Sequence, residues 1–412
     1  MKNFNHQFAA SLSAAHLQIL RNIGEMAAKR GEAVYLVGGV VRDILLGRSS
    51  YDLDMVIEGR AISLARQIAK ANDCSLKTHP RFGTAKILFE NLNIDLVTAR
   101  SESYIHPGAL PTVKAGTIQD DLARRDFTIN AMAIRLTPDS FGELLDPHGG
   151  QQDIKQKSIR ILHPKSFEDD PTRILRAIRY EQRLDFQLEK TTGKLLQNNL
   201  ESLDTVTGER LWHELELILN EECPEKSLLR ADKLGVLCKL YPPLKGDNWL
   251  EGKFAQVRDQ NEESLSLTSI YLAIISYRFN PEETSNCITR FKMPGWAART
   301  MRDAQKLKES LPLLEVPELR PSRIYRLLER HTPEGIEGMA IASDSLIIHR
   351  RLELYLRELR YAKPELSGDD LQNMGILPGK KIGRILKSLK EARIDRTITC
   401  RGEEEALARK LL

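Results

Sequence analysis

The chain has 412 residues, 41% hydrophobic and 29% charged, with 25 Gly and 18 Pro, an ordinary globular composition that excludes a disordered or fibrous chain. This length strains a single core, so roughly two to four domains are expected. Sixty-one Lys+Arg against 57 Asp+Glu leave a net charge of +4, which excludes a histone-like polycation; 6% aromatics exclude a surface built mainly of base-stacking platforms, but not a local basic stripe.

The N-terminal apolar stretch is interrupted by His16, Gln18, Arg21 and Asn22, so it is not expected to be a signal peptide or membrane anchor. Leu12, Ile19, Leu20, Ile23 and Met26 fall on one face of a helix instead. Residues 30–145 carry a mixed α/β pattern. Val34 to Val37 is a short apolar strand entering a Gly38-Gly39 turn; Leu53 to Ile57, Ala85 to Phe89 and Ile94 to Val97 are further strands, and Ala61 to Ala71 has helical spacing. Beyond Gly150 the pattern changes to long helices. In the stretch 209–219, Thr207 is the expected N-cap and Leu211, Leu215 and Ile218 mark the apolar face. Gly149-Gly150, after Asp146-Pro147, is the expected domain boundary. The five cysteines, Cys74, Cys223, Cys238, Cys287 and Cys400, are scattered without a CxxC pair, the usage of reduced thiols in a cytoplasmic protein. The expected fold class is α+β: a mixed α/β head followed by a helical remainder.

Three segments carry chemistry. In the first, Gly38-Gly39 between strand and helix lets backbone N–H groups approach an anion, and Arg42 follows one turn later. Asp52 and Asp54, two residues apart on a strand, point both carboxylates to one face, where hard oxygen ligands suit Mg²⁺. Asp95 is a third candidate carboxylate; an exposed strand residue and a metal ligand are both open readings of it. The second runs from Asp121 to Ala133, where charged residues including Arg125 lead into a buried stretch; it fits a phosphate or base contact, or a salt-bridged turn. In the third, Asp169 or Asp170 caps a helix with Pro171 at its first position. Arg173, Arg176, Arg179 and Arg183 then form a row with few acidic partners nearby, Glu181 and Asp185, a nucleotide-binding face.

In order, GGVVRDILLGRSSYDLD (38–54), RRDFTINAMA (124–133) and DDPTRILRAIRY (169–180) resemble the successive motifs of class II tRNA nucleotidyltransferases (CCA-adding enzymes) and bacterial poly(A) polymerases, within the DNA polymerase β-type nucleotidyltransferase superfamily. Asp146 to Gly150 with Asp153, Gly208 to Leu211 with Glu214, and Leu366 to Leu371 with Gly375, Gly379 and Gly383 agree with it. The stretch 230–360 carries no matching motif. The resemblance implies a catalytic head (1–148), a nucleotide-recognising neck (149–225), and a helical body (226–360) and tail (361–412) that hold tRNA. It implies that Asp52 and Asp54 bind Mg²⁺, with Asp95 a possible third catalytic carboxylate. Gly38, Gly39 and Arg42 would cradle the triphosphate. Arg125, Arg176 and Arg179 would contact the nucleotide, and Asp170 and Arg173 would read its base. Asp169 stands where the family has Glu.

The implied activity is template-independent addition of C and A residues to tRNA 3′ ends from CTP and ATP, with no membrane and no inferable protein partner. Addition of CC alone or of A alone, a poly(A) polymerase, and a catalytically dead tRNA-binding protein are the alternatives. The segment from Ser101 to Gln119 takes the place of a flexible loop in the family. The last 42 residues hold ten Lys/Arg against five Asp/Glu, which fits either an RNA-touching surface or a solvated helical one. His331 and His349 stand apart from any acidic metal-ligand pattern, so no phosphohydrolase activity is expected.

Overall fold

Strands that alternate apolar and polar residues bury one face and the apolar run Val34–Val37 buries both, and the computed structural model shows what each face meets. It describes residues 12–48, 52–80, 83–89, 92–103, 111–260 and 265–411, with Phe8 and Gly108; the side chain of Asp52 and six of the nineteen residues of the expected flexible loop (104–107, 109–110) lie outside the described residues. The chain divides into two compact units, Met1–Thr207 with Leu234–Leu240, and Gly208–Lys233 with Tyr241–Leu412.

In the first unit, helix α1 (Ala14–Ala28) leads to β1 (Ala33–Val37), α2 (Gly39–Leu45), β2 (Asp52–Glu58) and α3 (Ala61–Asn72). β3 (Ser75–His79), β4 (Thr84–Leu88) and β5 (Asn93–Thr98) follow, then a separate hairpin of β6 (Arg100–Ser103) and β7 (Thr112–Ala115). After α4 (Ile118–Ala123) come β8 (Ala133–Arg135) and β9 (Leu144–Leu145), which complete a seven-stranded sheet in the order β3-β4-β5-β2-β1-β8-β9. Only β2 and β5 run parallel within it.

Leu53, Met55 and Ile57 of β2, with Val34, Leu36, Ile94 and Leu96, pack under α1 and α3 and form the larger core. The alternate residues Tyr35, Val37 and Val56 face the other way, onto Ile118 and Leu122 of α4. Residues of even number on β2 therefore lie on a face that α4 covers in part. The expected boundary at Gly149-Gly150 falls inside the first unit, where Asp146 accepts from the backbone N–H groups of Gly150 and Gln151 at 2.6 and 2.9 Å and starts helix α5 (Gly150–Lys155). The unit continues with the short α6 (Ser166–Asp169) and α7 (Arg173–Leu184).

The second unit is helical throughout its described residues, as the loss of strand patterning predicts. Gly338 lets the helix Pro333–Ala342 approach Leu267–Tyr277 closely: a Cβ there would lie 2.5 Å from that of Ala273. A C-terminal core of Leu366, Leu371, Ile376, Ile385 and Leu389 is tied by the buried Glu404, which accepts from the N–H groups of Glu365 and Leu366 and from Arg393. Much of the basic surplus at this end is paired, Lys387 with Glu329, Arg393 with Glu365 and Glu404, and Arg401 with Asp370. His331 is not isolated. Its Nδ1 lies 2.8 Å from Asp303, which also accepts from the Thr332 backbone and hydroxyl. That partner, 28 residues upstream, ties two helices together, and among the described residues no metal-binding group forms around it.

Candidate active site

The parallel register of β2 and β5 sets Asp54 directly beside Asp95, and Asp52 beside Asn93. Asp54 is exposed, on the sheet face opposite the main core. The antiparallel register of β1 and β2, Leu36 against Met55, brings the Gly38 end of β1 to the Asp52–Asp54 end of β2. The carboxylates and the glycine turn are thus neighbours because two adjacent strands end together. β4 adds Lys86, whose Nζ lies 3.2 Å from Asp95 Oδ2.

Gly38 has φ +77° and ψ −136°, a conformation for which only glycine is unstrained. A Cβ on Gly38 would fall 2.6 Å from Arg125 Nη1, so the guanidinium of Arg125 lies against the turn. The buried Asp121 holds Arg125 at 2.9 Å and Arg124 at 2.7 Å, and Arg124 reaches on to Glu102 at 2.9 Å. Arg42 sits behind the glycines. It is 3% exposed, too enclosed in this state to face the solvent as a free phosphate ligand. Its fork meets Asp43 at 2.9 and 3.0 Å, and Nη1 donates to Asn130 Oδ1 at 2.7 Å.

Asn130 passes the connection on: its Nδ2 donates to Asp126 Oδ1 at 3.1 Å, and Asp126 Oδ2 meets Arg176 Nη2 at 2.5 Å. Burial pushes the Asp126 carboxyl up, but Arg176, the Asn130 amide and the charge of Arg173 outweigh it and hold it to about 2. The Tyr180 ring collects three guanidiniums, with Arg42, Arg176 and Arg179 centred 5.3, 5.7 and 5.0 Å from its centroid, and Phe127 meets it edge-on. Cations held near an aromatic ring gain from its quadrupole.

This geometry corrects the picture of an unneutralised arginine row. Arg176 has its acid in Asp126, 50 residues upstream, where helical spacing does not look. Arg173 and Arg179 are buried, and Arg173 donates to Ser166 Oγ at 2.6 Å and to the Arg124 carbonyl at 2.8 Å; Arg183 is exposed. Neither Asp169 nor Asp170 is the N-cap of α7. Thr172 occupies that position, and Asp170 accepts from the Thr172 N–H at 3.1 Å and hydroxyl at 2.7 Å. Asp169 lies 3.8 Å from His163, an imidazole lowered by burial and then by Arg173.

Asp121, Asp126, Asn130, Tyr180 and Lys86 belong to the site without having been singled out from the sequence. Asp126 and Asn130, four residues apart beside Phe127 and Ile129, are buried polar groups that require partners. That was the available signal. The described residues bring Asp54, Asp95, Gly38, Gly39, Arg42 and Arg125 together at one sheet end, and Arg125, Arg173 and Arg176 together through Arg124 and Asp126.

Residues 34–160 match the poly A polymerase head domain, and residues 185–247 match a probable RNA and SrmB-binding site of polymerase A. The chain is 35% identical to an A-adding tRNA nucleotidyltransferase of Halalkalibacterium halodurans, over 89% of this chain and 86% of that protein. It is 34% identical to an A-adding tRNA nucleotidyltransferase of Geobacter sulfurreducens over 98% of this chain but 48% of that protein, so it spans about half of that relative's length. Among solved structures, it is similar to a Thermotoga maritima CCA-adding enzyme complexed with tRNA, with 32% identity and a TM-score of 0.76 over 100% of this chain and 99% of that one.

Proposed function

The chain belongs to the family of tRNA nucleotidyltransferases and poly(A) polymerases, and from that membership we propose that it adds nucleotides to the 3′ end of tRNA from CTP and ATP. One observation carries the reading: Asp54 and Asp95 stand in register on the open part of a sheet face, beside a glycine turn that Arg125 leans against.

The donors fit a hard divalent cation, since carboxylate oxygens on adjacent strands share one face. Among the described residues no group of three or more acidic, His or Cys ligands converges; Asp54 and Asp95 supply two carboxylates, and Asp52 is the remaining candidate. When bound by Asp52 and Asp54, with Asp95 as third carboxylate, Mg²⁺ would make the RNA 3′-hydroxyl more acidic and offset charge on the triphosphate. The backbone amide of Gly39 and the guanidinium of Arg125 receive the phosphates at the start of α2, while the Gly38 N–H donates to the Met132 carbonyl at 3.3 Å and fixes the turn. Arg42 holds that turn from behind. The 3′-oxygen then attacks the α-phosphorus in line and pyrophosphate leaves. The resemblance assigns base reading to Asp170 and Arg173. In this structure they are held by Thr172 and by Ser166 and the Arg124 carbonyl, so reading requires them to exchange these partners for the base; Arg176 and Arg179 fix the wall behind it. Residues 1–148 act as catalytic head and 149–225 as neck, while 226–360 and 361–412 hold the tRNA as body and tail.

A second reading, addition of the terminal A alone, is favoured by the two A-adding relatives, aligned over 89% and 98% of this chain. The test offers tRNAs ending before CCA, after C and after CC, with CTP and ATP separately. Full CCA synthesis requires extension of all three; the A-only reading requires extension solely of the CC-ending tRNA by ATP. Asp54→Asn should abolish incorporation while leaving tRNA binding in place. Incorporation by that variant at the native rate would exclude Asp54 from the reaction, and a native chain that binds tRNA without incorporating would be a dead head.

A further inference from the structure

Three strands place Lys86, Asp95 and Asp54 side by side. Lys86 of β4 is the antiparallel partner of Asp95, and Asp95 is the parallel partner of Asp54. The flanking residues Ala85, Ile87, Ile94 and Leu96 are buried in the main core, so alternation sends Lys86 to the carboxylate face. There its Nζ approaches Asp95 Oδ2 at 3.2 Å, with both side chains 39% exposed. A strand that served only to cover the core would need no cation at this position. This one supplies a single positive charge to the carboxylate adjacent to Asp54.

We propose that Lys86 is a positioning residue for the metal site: it holds Asp95 on the β4 side, and Asp95 joins the cation's ligands only when the divalent charge displaces the ammonium. The inference rests on the two-carboxylate reading of the site given above and adds a control to it. A half-exposed pair is weak enough to be displaced, because solvent screens it and ordering two side chains opposes it. An ammonium and a divalent cation compete for the same oxygen, and the cation brings twice the charge. Lys86 thereby makes the site reluctant to fill before nucleotide arrives, since triphosphate oxygens then add ligands that the ammonium does not contest. The arrangement keeps Asp95 from holding a cation tightly in the absence of substrate.

The experiment is a Mn²⁺ titration of the full chain without nucleotide, followed by electron paramagnetic resonance, on Lys86→Met, Lys86→Gln, Lys86→Arg, Asp95→Asn, the double variant Lys86→Met with Asp95→Asn, and Asp54→Asn. Lys86→Met should bind Mn²⁺ about fivefold more tightly, the upper end for an exposed pair, and Lys86→Gln should repeat it. The gain should vanish in the Asp95→Asn background, and Lys86→Arg should match the native chain. An equal gain with and without the Asp95 carboxylate would show Lys86 acting only as a charge through space and would overturn the proposal, as would no gain at all. Asp54→Asn separates the two levels. Loss of Mn²⁺ binding there, with no coupling between positions 86 and 95, removes the role of Lys86 alone; undiminished binding removes the metal site and this inference with it.

Discussion

Asp126→Asn is the most direct test of the buried network, because it keeps the side-chain shape and removes one charge. The carboxyl lies at about 2 against an ordinary 3.8, a difference worth about 2–3 kcal/mol. Arg176 keeps 29% of its side chain exposed, so water recovers part of the loss. The expected destabilisation is therefore about 2 kcal/mol rather than the roughly 3–5 of a fully buried pair. For a domain of this size that lowers Tm by about 4–8 °C. Because the folded carboxyl titrates below its unfolded value, its contribution is present above about pH 4 and is lost as pH falls towards 2. Urea unfolding of the native chain and of Asp126→Asn should differ by a constant amount from pH 8 to pH 5, and the gap should close between about pH 4 and pH 2. Arg176→Met should be non-additive with it by a similar energy. A gap of the same size at pH 2.5 as at pH 7, or strict additivity with Arg176→Met, would refute the argument.

Gly38→Ala puts a left-handed φ and a 2.6 Å contact with Arg125 on one residue, so incorporation should fall and stability drop by about 1–3 kcal/mol; native kinetics would show that Arg125 does not rest against the turn. Gly338→Ala meets the Ala273 Cβ at 2.5 Å and should cost about 1–3 kcal/mol by overpacking, read in a urea titration. An unchanged midpoint would mean that the two helices separate freely. Burial pushes the Cys287 thiol up to about 12, so at pH 8 it should escape iodoacetamide until the chain unfolds, whereas the exposed Cys238 and Cys400 react in the native state. Mass spectrometry of the labelled peptides decides it.

Much of the head was legible because its signals are local. The strand at 33–37 is a short apolar run, the one at 93–98 alternates, and Asp52 and Asp54 share parity on the strand at 52–58. The helical remainder was legible from the loss of that alternation. What escaped was non-local. No spacing within 173–184 reveals that the acid for Arg176 is Asp126, or that the cation beside Asp95 comes from β4. The hairpin of β6 and β7 escaped for a different reason. It buries little, with all of β7 exposed, so hydrophobic period had no purchase on it. The cap of α7 moved because Asp170 bonds Thr172 two residues on and opens a turn before the helix proper.

The glycine pair acquires a second physical reason from the structure. Read from sequence, Gly38-Gly39 exists so that backbone amides can approach an anion. In the fold, the space that a side chain would fill at Gly38 is occupied by Arg125 Nη1, while at Gly39 the nearest atom is Arg42 Nη2 at 3.4 Å. The two arginines have different freedom. Arg42 spends its donors on Asp43 and Asn130, which locks it to the helix it helps position. Arg125 is anchored through Asp121 at Nε and Nη2 and lays Nη1 against the turn. A guanidinium fixed at two donors and presented by the third loses little freedom on meeting a phosphate. Asp121, fully buried and shared by Arg124 and Arg125, is thus what converts a flexible cation into a preorganised one, and the glycine at 38 is what leaves room for it.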